Sequence, residues 1–74
     1  MTIQFRAVDI VRGALLHVEL AVTTESRAFR RYSLQCAIDR MRRALAILNR
    51  EGDHRNKARV MRMLNWLRAE ASRA

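Results

Sequence analysis

A chain of 74 residues, half of them hydrophobic, is long enough for one domain with a modest core, because small domains bury a low fraction of the surface their unfolded chains expose. Its single cysteine, Cys36, excludes a disulfide framework, and no Cys and His grouping has metal-ligand spacing, so neither a metal nor a cofactor is expected. Fifteen Lys and Arg residues against seven Asp and Glu give a net charge of +8, which favours nucleic acid or an acidic protein surface as partner.

Lys57 is the only lysine, a bias that a GC-rich genome produces whatever the function. The opening "MTIQFRAVDIVRG" lacks the basic-then-apolar layout of a signal peptide. The longest apolar-rich run, "ALLHVELAV", carries His17 and Glu19 and is too short to span a bilayer. A cytoplasmic protein without membrane contact is expected, in which Cys36 stays reduced as a small buried hydrophobe.

The N-terminal third carries two patterns. As a helix, Val8, Val11, Leu15, Val18 and Val22 form a heptad-like stripe, with Leu16 and Leu20 on another side. As a β-hairpin turning at Arg12 and Gly13, it sets Ile3, Phe5, Ala7 and Val11 on one face with Ala14, Leu16, Val18, Leu20 and Val22, and Arg6 opposite Glu19. "RG" is a weaker hairpin turn than "NG", and "ALLHVELA" is rich in helix formers, so a helix is expected and the hairpin is the alternative.

Next, "TTESRAFRRYSLQCAIDRMRRALAILNR" offers Thr24 as an N-cap and Glu25 in the first turn. Leu34, Ala37, Ile38, Met41, Leu45 and Leu48 follow at helical spacing. "NREGDHRN" interrupts the periodicity. Gly52 suits the left-handed residue that closes a helix, and Asp53 suits the cap of the next. The last helix starts near His54 and presents Val60, Met63, Leu64, Leu67 and Ala71 as its apolar stripe. The expected fold is therefore all-α, a single domain over residues 1–74, with an antiparallel helical hairpin preceded by an N-terminal helix. A chain this short and this hydrophobic, without disulfide or metal, is also expected to self-associate as a homodimer.

No catalytic constellation is visible. His17 and His54 stand alone as a helix-surface group and a turn residue, and Ser26, Ser33 and Ser72 have no nucleophile-elbow context, so an enzyme is not expected. Nor does the glycine-containing turn follow a DNA-binding helix-turn-helix, since Gly52 is followed by Asp53, His54 and Arg55 rather than by an apolar residue that packs the turn. Aromatic residues make up 5% of the chain, too few for a base-stacking platform.

Two mixed surfaces stand out instead. On the last helix, Trp66 falls off the apolar stripe and among Arg55, Arg59, Arg62 and Arg73. On the middle helix, Phe29, Cys36 and Ile47 form a sparse apolar line with Tyr32 beside it and Arg40, Arg43 and Arg50 interleaved. Trp, Tyr and Arg are the residues that dominate interface hot spots. Arg55, Arg59, Arg62 and Trp66 are therefore the first candidates for partner binding, and Phe29, Tyr32, Arg40, Arg43 and Ile47 the second. An intramolecular role for Trp66, covering the N-terminal segment with Arg59 and Arg62 at its rim, is the alternative.

In overall style, as a tiny, arginine-rich, all-helical single domain without catalytic residues, the whole chain resembles the small early proteins of phages that infect GC-rich bacteria such as Pseudomonas. These include quorum-sensing anti-activators and inhibitors of host pilus assembly. The resemblance implies a stoichiometric inhibitor, often dimeric, that masks a surface on a host regulator or motor in the host cytoplasm. The expected function is that of a non-enzymatic interaction protein. The alternative is a basic nucleic-acid-binding protein acting through arginine–phosphate contacts.

Overall fold

The structure, a computed structural model, describes residues 6–74, and these form three helices: α1 (Ala7–Thr23), α2 (Arg27–Glu51) and α3 (His54–Arg73). The domain is all-α, with no strand among the described residues. The hairpin alternative fails because α1 runs unbroken through Arg12 and Gly13. Helix formers on both sides of Gly13 carry the helix across it, at a cost of about 1 kcal/mol relative to alanine. Ile3 and Phe5, which that alternative placed in its first strand, lie outside the described residues.

Local chemistry sets the helix ends. Thr24 does not cap α2 but ends α1, its N–H donating to the Leu20 carbonyl. Ser26 is the cap of α2, its Oγ accepting from the Phe29 N–H at 3.2 Å. At the other end Gly52 has φ 72°, the left-handed conformation that glycine adopts without a Cβ clash, and the Asp53 N–H returns to the Leu48 carbonyl. Asp53 then caps α3, accepting from the Asn56 N–H at 3.2 Å and from Asn56 Nδ2 at 2.7 Å. These bonds hold its carboxyl below the ordinary value of 3.8. His54 opens α3 rather than sitting in the turn, and His17 is half-buried rather than exposed.

The helices alternate in direction about a central α2. Arg30 donates to the Ala21 and Thr24 carbonyls at the end of α1, at 3.3 and 3.1 Å, and Arg40 lies over Gly13 further back along it. On the other flank Lys57 Nζ reaches Asn49 Oδ1 at 2.8 Å, and Arg31 reaches the Ala74 carbonyl at 3.0 Å. Both α1 and α3 are thus antiparallel to α2 and parallel to each other. No Cα of α1 comes within 8 Å of one in α3, and the molecule is a flat slab of 38 × 29 × 13 Å.

The core joins large and small side chains. From α2 come Leu34, Ala37, Ile38, Met41 and Leu48, and from α3 Val60, Leu64 and Leu67, as the spacing predicts; Leu45, Met63 and Ala71 are half-buried. From α1, however, only Ala14 and Ala21 are fully buried. The heptad-like stripe is divided between the core and the surface. Val11 and Val18 are half-buried, while Val8, Leu15 and Val22 are exposed, because α1 approaches α2 along its small residues. Arg40 lies across Gly13, where a Cβ would stand 2.6 Å from the guanidinium Nη1 at the end of that flexible side chain.

Candidate partner-binding surface

Helical spacing turns Leu64 and Leu67 inward and leaves Trp66 about 100° around the axis from Leu67. Leu67 is fully buried, whereas Trp66 is 46% exposed. Because α1 and α3 flank α2 without meeting, a groove of about 480 Å³ opens between them. Leu15 and Val18 form one wall, Met63 and Trp66 the other, and Arg59 and Arg62 stand along the α3 side. A second hollow, of about 270 Å³, lies on the other side of the indole and is lined by Ala21, Val22, Arg30, Glu70 and Arg73 among others. Trp66 is therefore a partition between two concave surfaces, half-covered and not enclosed.

The electrostatics are one-sided. Residues of α3 include six basic side chains and one acidic, and the one ion pair among the described residues joins Arg73 to Glu70 at 2.8 Å. Arg55, Arg59 and Arg62 are exposed and engage no carboxylate among the described residues. Among the described residues no arginine stacks on the indole.

Of the first expected set, Arg59, Arg62 and Trp66 come together in the groove, and Arg55 stands exposed on α3 outside it. The second set divides. Phe29 and Tyr32 remain exposed as a tilted pair with ring centroids 6.4 Å apart. The Cys36 thiol beside Tyr32 pushes its phenol above the ordinary 10.0. Arg40 and Arg43 instead face Asp9 and Ile10 of α1 across a separate hollow, and Ile47 is half-buried. Cys36 is itself only partly buried.

No protein-family model, curated protein or solved structure matches the chain. Among the described residues there is no cluster of three or more His, Cys, Asp or Glu side chains that would hold a metal ion, and no helix is long and apolar enough to cross a membrane.

Sequence reasoning placed Leu15 and Val18 in a heptad-like stripe without a partner and missed them as walls of the groove. The available signal was Ala7, Ala14 and Ala21 at seven-residue intervals. A line of small residues at that repeat marks a close helix approach and sends the neighbouring large side chains outward.

Proposed function

We propose that this protein is a non-catalytic interaction module that seats a partner protein in the groove between α1 and α3, with Trp66 as the anchor and Arg59 and Arg62 steering an acidic rim. The half-exposed tryptophan between Met63 and unpaired arginines carries the reading. A desolvated Trp beside Arg is the composition of an interface hot spot, and free guanidinium groups raise the encounter rate with a negative surface. Occupying that surface is itself the inhibitory act, as the resemblance to small phage early proteins implies, in the cytoplasm of a bacterial host.

The test is capture from a nuclease-treated bacterial lysate by the wild type, Trp66→Ala and an Arg59→Glu/Arg62→Glu double variant. One protein recovered in stoichiometric amount by the wild type and lost by both variants, each still folded, is the expected result. A partner retained by both variants contradicts the site. Recovery that disappears with nuclease, and DNA affinity that falls steeply with salt, support the nucleic-acid alternative.

A further inference from the structure

The outer helix α1 carries five of the exposed large hydrophobics, Val8, Leu15, Leu16, Leu20 and Val22, within 17 residues. Leu16 is 62% exposed and Val22 67%. Around the helix these side chains form two apolar edges, Val8, Leu15 and Val22 on one and Leu16 and Leu20 on the other. Between them, on the side directed away from α2, lie Arg12 and Glu19, both exposed.

We propose that this outward face is a homodimer interface, in which two copies pack α1 against α1 antiparallel and exchange reciprocal ion pairs between Arg12 of one copy and Glu19 of the other. Leu15 borders both this face and the α1–α3 groove, so the Leu16 and Leu20 edge, which does not line that groove, carries the test.

Charge selects the second copy and the helix. The helix α2 carries seven basic residues against two acidic, and α3 six against one, so joining copies through either brings arginine clusters together. The helix α1 carries one basic residue against two acidic. Arg12 and Glu19 are about 10.5 Å apart along their own helix, too far to pair with each other. Asp9, one turn before Arg12, makes no ion pair with it. A two-fold axis between Leu15 and Leu16 sets Arg12 opposite Glu19 twice over, with Leu15 beside Leu15 and Leu16 beside Leu16 of the other copy. The two apolar edges then meet their own copies on either side of the charged line, as in an isologous interface.

Sedimentation equilibrium on the full chain, from micromolar to near-millimolar protein, tests this. The wild type is expected to be a dimer, and Leu16→Glu a monomer with an unchanged helical signal, since Leu16 lies outside the core. Arg12→Glu and Glu19→Arg each set like charges face to face at both symmetric positions and should weaken the dissociation constant about tenfold. The double variant restores opposite charges and should return toward the wild type. A monomer at every concentration overturns the proposal, as does a dimer indifferent to Leu16→Glu or a double variant no tighter than the singles. Loss of the dimer in Trp66→Ala with retention in Leu16→Glu would put the second copy in the groove and equally overturn it.

Discussion

The two faces of α2 are held by opposite means. Toward α3 the seam uses large aliphatics, with Leu64 and Leu67 among the most deeply buried side chains of the molecule. Toward α1 it uses small ones: Ala14 and Ala21 on α1, and on α2 Ser33, Ala37 and Ala44, which share the azimuth of Arg40. Small residues let the α1 and α2 backbones run closer over a longer stretch than those of α2 and α3. The consequence is functional. A helix packed through alanine has its valines and leucines left for other contacts, whereas a helix packed through leucine has a polar outer face. One seam therefore yields an apolar surface, and the other a basic one.

Cutting the large-residue seam should have the largest effect. Leu64→Ala removes a buried leucine from between rigid neighbours and should cost about 3 to 4 kcal/mol in a urea titration. In a chain of this size that removes much of the total stability. A loss under about 1 kcal/mol would mean that α3 is not held by this stripe.

The small-residue seam should fail in the reverse direction. Ala14→Leu adds volume where Ala14 has no exposure, and should cost about 1 to 3 kcal/mol by forcing α1 away from α2. Were Ala14→Leu stabilising, the close approach would be wrong and the valine stripe would be the true core face.

Ser33 sharpens the comparison further. It is fully buried in the small-residue region, and its Oγ has no hydrogen-bond partner among the described residues. Ser33→Ala keeps the packing size and removes an orphaned hydroxyl, so it should stabilise by about 1 kcal/mol, raising the melting temperature by about 4 to 8 °C.

The smallest effect is at the turn that joins α2 to α3. The Asp53 carboxyl binds its proton less tightly in the folded chain than in the unfolded one. Its stabilisation is complete above the unfolded value near 3.8 and disappears as pH falls through the lower folded value. Asp53→Ala should therefore melt below the wild type at neutral pH, with the gap narrowing in strong acid. A gap independent of pH would show that the charge of the cap does nothing.

What the chain reveals before its structure is known follows the same division. The α2–α3 hairpin is legible because Leu34, Ile38, Leu64 and Leu67 repeat at helical spacing and Gly52 and Asp53 punctuate them by recognisable chemistry. The face of α1 is not legible by hydrophobicity alone, because its side chains are apolar around most of the circumference. Size, not polarity, decides which of them face inward. Arg40 and Arg43 are placed on the correct azimuth of α2 by their spacing, but that this azimuth borders α1, with Arg40 partly buried and Arg43 exposed, is not legible. Trp66, Arg59 and Arg62 are legible because nothing in the α3 stripe accommodates them.

The most direct measurement compares two adjacent residues, Trp66 and Leu67, by thermal and urea unfolding of Trp66→Ala and Leu67→Ala over a range of protein concentrations. Leu67→Ala should lose about 3 to 4 kcal/mol, as a fully buried leucine does. Trp66→Ala should lose about 1 kcal/mol, because the indole is already half in water. An equal loss in the two variants at every concentration would make Trp66 a core residue and contradict the groove as a binding surface.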